Sequence, residues 1–246
     1  MVINNMKKFE KLLKGHHYIC FLDFEGTQFS HEIIAIGAVF CALDKNGRIK
    51  NRKPPFRIYV RAKNRVGNVV QELTGITDEK LIKDGVTFHT AMHQFKKYIG
   101  MKFNKTSFVT YNSHDMKMLG GSISYNLDAP KDICSQIQKN YIDYEAFLSE
   151  FVKDDKGNVL SLVRACELFN VPLAGDPHDP VIDSVNLANL YDMVLIKRDI
   201  LAREYMKNLK RNTHYPQPIL KTIAKIMNGQ CVTPEEFSSF VDEYLS

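Results

Sequence analysis

Two carboxylates, Asp23 and Glu25, stand on alternate positions of the apolar run that begins at Tyr18 (YICFLDFE). Side chains at i and i+2 of a strand point to one face, so the two acids emerge side by side. Adjacent carboxylates at a strand end repel each other and lose hydration, and a divalent cation relieves both costs. Mg²⁺ or Mn²⁺, hard ions that favour carboxylate oxygen, are the guests such a pair invites. A strand end that simply meets solvent has the same spelling, so the pair needs companions. Asp115 is one: it follows a β-rich run, Ser107 to Tyr111 (SFVTY), and a polar Asn112-Ser113-His114 turn. Asp183 is another, five residues after His178 in GDPHDPVIDSVNLANL, where Pro177 and Pro180 fix the chain and a helix begins. Sequence-distant acids at strand ends and helix starts are what a shared metal site requires. The same residues also serve as ordinary helix N-caps.

The elements that must position these groups follow from periodicity. Tyr18 to Phe24, Ile33 to Leu43 and Phe56 to Val60 read as three strands joined by tight connections, with an Asn46-Gly47 turn signal between the second and the third. Thr87 to Ile99 places Phe88, Ala91, Met92, Phe95 and Ile99 on one helical face. Ser107 to Tyr111 is a fourth strand, and helices are expected from His114, over Ile142 to Val152, Leu160 to Phe169 and Ser184 to Tyr205. Strands first, then strand and helices in alternation, imply an α/β layer architecture, a mixed sheet flanked by helices. Two prolines in Thr213 to Pro218 interrupt any helix, which places a domain boundary there: 1–212, then a helical C-terminal extension, 213–246. Within the extension, Ile219 to Met227 and Pro234 to Leu245 read as short helices. The second opens on a capping-box pattern, with Thr233 at N-cap and Glu236 at N3.

Composition excludes several classes. With 44% hydrophobic and 25% charged residues over 246 positions, the chain is of ordinary globular type. No apolar run reaches the roughly 18 to 20 residues needed to span a bilayer, and the N-terminal stretch lacks the apolar core of a signal peptide. Five scattered cysteines without a C-x-x-C pair indicate neither a disulfide framework nor a zinc site, so a cytoplasmic setting is expected. The net charge of +5 is mild, but it is unevenly spread. Lys45 to Arg57 holds six bases and no acid, and Lys197 to Lys225 holds eight bases against two acids. From Ile226 onward there are four acids and neither Lys nor Arg. These clusters are either solvated faces or surfaces that steer phosphates.

Taken together, LDFEGT (22–27), LTGI (73–76), YNSHDMKML (111–119) and HDPVIDSVNLA (178–188) resemble the motifs of the DEDDh 3′→5′ exonucleases, the superfamily of RNase T and the polymerase proofreading subunit. The pattern is most similar to the exoribonucleases that trim small-interfering RNA and histone-message 3′ ends. It runs in matching order from about His16 to Arg203. The resemblance implies a ribonuclease H-like, mixed five-stranded sheet flanked by helices and a metal-dependent exoribonuclease that releases 5′-nucleoside monophosphates. It implies Asp23, Glu25, Asp115 and Asp183 as ligands of two divalent ions, Mg²⁺ or Mn²⁺, with His178 as the fifth catalytic residue. Gly26, Thr27, Phe29 and Leu73 fall at positions that contact the terminal nucleotide in relatives. The partner implied is the 3′ end of a single-stranded nucleic acid, RNA ahead of DNA. Two departures flank the catalytic positions: His114 stands where an aromatic, commonly Trp, precedes the third acid, and Ile182 where an acid often precedes the fourth. A DNA exonuclease, a nuclease of very short or signalling oligonucleotides, and a binding module without catalysis are the alternatives. The C-terminal extension is read either as helices capping apolar surface or as a site for a second copy or a protein partner.

Overall fold

The computed structural model describes residues 7–211 and 214–246. The expected boundary at 212/213 therefore lies outside the described residues, and it stands as a proposal. Contacts divide the chain into two compact units: one runs up to Ala146 and resumes over Ser161–Leu195, the other comprises Phe147–Leu160 and Ile196–Ser246.

The first unit is built on a mixed sheet. After α1 (Lys7–Leu13) come β1 (Tyr18–Gly26), β2 (Ile33–Leu43), β3 (Ile49–Arg52) and β4 (Phe56–Tyr59). Helices α2 (Asn68–Thr74), α3 (Asp78–Asp84) and α4 (Phe88–Ile99) follow, then β5 (Thr106–Thr110), α5 (His114–Tyr125), α6 (Lys131–Lys139) and β6 (Tyr141–Asp143). The rest of the chain is helical: α7 (Tyr144–Ser149), α8 (Leu162–Leu168), α9 (Pro180–Ile196), α10 (Arg198–Arg211), α11 (Gln217–Met227) and α12 (Pro234–Leu245). Among the described residues, no helix is long and apolar enough to cross a membrane.

Across the sheet the order is β3-β2-β1-β5-β6, and β4 also pairs with β2. The sheet thus has six strands in five positions. The 11-residue β2 gives one half of its outer edge to β3, opposite 41–43, and the other half to β4, opposite 35–38. Lys53-Pro54-Pro55 separates the two short strands, and the Tyr98 hydroxyl closes the gap by accepting from the Phe40 N–H and donating to the Pro54 carbonyl. β3 escapes prediction because its residues, IKNR, lie on an exposed edge and carry no strand-like alternation.

β1 occupies the central position, antiparallel to β2 and parallel to β5. Its alternation splits as the pleat requires. Cys20, Leu22 and Phe24 enter the main core with Phe88, Ala91, Met92, Phe95 and Ile99 of α4, the helical face expected from sequence. Phe21 lies on the opposite face, with its ring 5.3 Å from that of Tyr191 on α9. Asp23 and Glu25 continue this second face towards the end of the strand. The helix expected over Ile142 to Val152 is corrected: residues 141–143 pair with β5 as a strand, and the helix covers only Tyr144–Ser149. The helix expected from Ser184 to Tyr205 begins earlier, at Pro180, and divides at Lys197 into α9 and α10.

In the second unit, α10 and α11 pack together, as do α11 and α12. Thr233 caps α12 by accepting from the Glu236 N–H at 3.2 Å, as its position predicts. The Glu236 carboxylate does not turn back to close the capping box; it pairs with Lys225.

Candidate active site

The carboxyl ends of the parallel strands β1 and β5 lie side by side, the place where open α/β sheets bind ligands. Asp23 and Glu25 are half-buried on one face of the β1 end. Asp115 stands in the first turn of α5, directly after β5, and is 5% exposed. Its Oδ1 accepts the backbone N–H of Phe24 at 2.8 Å, which fixes the third acid against the residue between the first two. Asp183 stands in the first turn of α9, half-buried, and its Oδ2 accepts the backbone N–H of His178 at 3.0 Å. Both helix-borne acids occupy N-terminal turns, where the helix dipole favours negative charge.

Burial raises all four acids, and their neighbours in the cluster add to the effect at Asp23 and Glu25. Burial pushes the Asp23 carboxyl well above its ordinary range, and Asp115, Glu25, Asp183 and Asp179 push it in the same direction. Glu25 is pushed up to about 8 by burial and then by Asp183, Asp115 and Asp179. Asp115 is raised to about 7 by burial, against the Phe24 N–H that lowers it. Burial also raises Asp183, although the His178 N–H opposes it. No cation is among the groups acting on Asp23 or Glu25. Among the described residues, no group of three or more His, Cys, Asp or Glu side chains is arranged to hold a metal ion. Asp115 and Asp183 each direct an oxygen at a backbone N–H. The donor set itself fits hard divalent ions, because it is all carboxylate and crowded.

Two further features bring α9 to the sheet. Gly37 of β2 pairs with Asp23 on one side and with Arg57 of β4 on the other, so the three form one row across the sheet. A Cβ on Gly37 would lie 2.0 Å from the carbonyl carbon and oxygen of Pro180, so the bare glycine is what lets the α9 N-terminus rest on β2. Beside this seat, Nη2 of Arg57 donates to both oxygens of Asp179 at 2.6 Å. Burial alone would raise the Asp179 carboxyl, but Arg57 and the Ile182 N–H outweigh it and hold the group below its ordinary range. Sequence reading placed Arg57 only within the basic run and left Gly37 unmarked, although a glycine inside the β-rich run IIAIGAVF is the recognised sign of a close backbone approach.

His178 lies on an exposed loop and adopts a left-handed φ of 66°, which is rare for a residue with a side chain. Thr27 is buried and its hydroxyl is engaged internally, accepting from the Glu32 N–H at 2.9 Å and meeting Ser30 Oγ at 2.6 Å. Gly26 faces Met118 of α5. Phe29 and Leu73 are 81% and 55% exposed, large apolar groups open to solvent. Glu32 was not anticipated from sequence: it is 1% exposed and accepts from Ser30 Oγ and from the Lys63 and Asn64 N–H groups, tying the β1–β2 turn to the chain after β4. The basic run from Lys45 to Arg57 is largely committed to partners. Arg48 pairs with Asp192, Arg52 bonds Asn189, Lys53 bonds the Tyr98 carbonyl and Arg57 holds Asp179.

A ribonuclease H-like sheet with acids gathered at the ends of its central strands is the architecture of a nuclease domain. The chain matches the RNase_T family, described as Exonuclease, over residues 20–191, and it belongs to that family, within the DEDDh 3′→5′ exonuclease superfamily. Among solved structures it is similar to the nuclease domain of 3'hExo, a DEDDh family member, bound to rAMP. The two are 25% identical with a TM-score of 0.58, over 76% of this chain and 94% of that one. It shares its fold with cell-death related nuclease 4, CRN-4, at 22% identity and a TM-score of 0.58, over 74% of this chain and 64% of that one. It also shares its fold with E. coli exonuclease I in complex with a dA16 oligonucleotide, at 15% identity and a TM-score of 0.53. That alignment covers 78% of this chain and 43% of exonuclease I. No curated protein matches the chain.

Proposed function

We propose that the protein is a metal-dependent exoribonuclease that removes 5′-nucleoside monophosphates from the 3′ end of single-stranded RNA, with Asp23, Glu25, Asp115 and Asp183 as metal ligands and His178 as the general base. The observation that carries this reading is the gathering of four carboxylates, each with a raised pKa, around the ends of β1 and β5. Such crowding is unfavourable in itself, and divalent cations are the partners that relieve it. Two Mg²⁺ or Mn²⁺ ions held there would polarise the scissile phosphate and stabilise the attacking and leaving oxygens. His178 takes the proton of the attacking water, the role of a general base within reach of the reacting group. Its open loop leaves the ring accessible to a substrate end. Phe29 and Leu73, large apolar groups open to solvent, provide apolar faces for the terminal base, a sequence-tolerant form of binding. Gly26 and the backbone of Thr27 are assigned to the terminal nucleotide, while the Thr27 hydroxyl stays in its internal bonds.

RNA is placed ahead of DNA because the motifs are most similar to those of exoribonucleases and because 3'hExo was seen with rAMP. The test is a time course with 5′-labelled RNA and DNA of one sequence, with Mg²⁺, with Mn²⁺ and with chelator, alongside His178→Ala. A ladder shortening from the 3′ end of RNA, dependent on metal and lost in the variant, is expected. Faster loss of the DNA ladder would reassign the substrate, and no cleavage of either polymer would remove the reading.

A further inference from the structure

We propose that Arg57 is a positioning residue for His178, acting through Asp179; this rests on the assignment of His178 as the general base. Residues 172–178 are all exposed, so the loop that carries His178 gains little from core packing. Its placement depends on ties at its two ends. At the start, the Ala174 N–H donates to Oδ1 of the buried Asn186 at 2.9 Å. At the end, the chain is held in three ways within three residues: the His178 N–H on Asp183, the Asp179 carboxylate on Arg57, and the Pro180 backbone on Gly37.

Of these ties, Arg57 alone connects the loop to the sheet through a side chain. It reaches across the row Asp23–Gly37–Arg57, so the strand register that places Asp23 also sets the distance from the acid cluster to the loop. Asp179 serves two purposes at once. Its Oδ1 accepts the N–H groups of Val181 and Ile182, capping α9, while both oxygens meet Arg57. Rotation of the α9 N-terminus and displacement of the His178 loop are thereby opposed by the same carboxylate. The left-handed backbone of His178 makes this restraint necessary, because an unrestrained residue with a Cβ leaves that region readily.

Reaction rates respond steeply to displacements of about 1 Å in a positioned group. Arg57→Met is therefore expected to lower kcat on the 3′-end assay by about 10- to 100-fold while KM changes less than about twofold, with Arg57→Lys intermediate. Asp179→Asn keeps a competent helix cap and loses the charge pair, so it is expected to give a similar loss. The double variant should be no slower than the worse single variant, because both act through one contact. Amide exchange on the same proteins should accelerate at 178–183 and remain unchanged in β1 and β2. Unchanged kcat, losses that multiply, a change confined to KM, or exchange that loosens the whole sheet would each overturn the proposal. If the parent protein cleaves nothing, the nuclease reading falls by that result, and exchange at 178–183 still decides whether Arg57 holds the loop.

Discussion

At Asp23, Glu25, Asp115 and Asp183, folding and ionisation oppose each other. Carboxyls whose folded pKa exceeds the unfolded one hold protons more tightly in the folded chain. Stability then falls as pH rises from the unfolded carboxyl range near 4, through about 7 for Asp115 and about 8 for Glu25. The metal-free protein should therefore unfold at a lower temperature at pH 8 than at pH 5.5, and saturating Mn²⁺ should recover most of the difference. Asp23→Asn removes one charge from the cluster. It is expected to raise the metal-free Tm at pH 8 by about 2 to 6 °C while abolishing cleavage. Calorimetry with and without Mn²⁺ checks both, and an unchanged or lower Tm in the variant would show that the carboxylates are not crowded in solution. These acids were legible in the sequence because each has a local signature, either alternation in a strand or a helix start. Their supports Gly37, Glu32 and Arg57 were not, because each acts on a residue distant in sequence.

At the level of elements, the outcome depended on how much of each element's stability is written locally. β2, α4 and α12 emerged close to their expected ends, since each carries an unbroken apolar pattern or a cap of its own. β6, three residues long, exists only through pairing with β5, and its apolar residues invited assignment to the following helix. The seat of α9 on β2 is likewise a long-range property. Gly37→Ala would put a methyl group 2.0 Å from the Pro180 backbone, where neither strand nor helix has a flexible side chain to yield. A loss of about 2 to 4 kcal/mol is expected, within and slightly above the usual range for overpacking, together with loss of cleavage as Asp183 moves off the acid cluster. Denaturant unfolding beside the nuclease assay measures the two effects, and a variant with parental stability and turnover would refute the seat. Glu32→Ala should destabilise by about 1 to 3 kcal/mol for a different reason: it removes the carboxylate that accepts from the N–H groups of Lys63 and Asn64.

Across the whole molecule, all residues assigned to the site belong to the first compact unit, while α11 and α12 belong to the second. Removing residues 213–246 is accordingly expected to leave the thermal stabilisation by Mn²⁺ within about 1 °C of that of the full chain. A folded truncation that no longer responds to Mn²⁺ would tie the extension to the site. The basic run from Lys45 to Arg57, which sequence left open between solvated surface and phosphate steering, proves to be mainly a set of anchors for the sheet edge, α9 and the end of α4. The same edge has a consequence for handling the protein at high concentration. An exposed strand running the length of β2 would offer a continuous ladder to a second chain, the usual seed of fibrils. Here the rim is cut into two four-residue pieces by Pro54 and Pro55, which have no N–H to offer, and Tyr98 occupies the break. A neighbouring strand finds too few donors in register to grow on, and the long central hairpin of an otherwise β-rich first third is shielded from self-association.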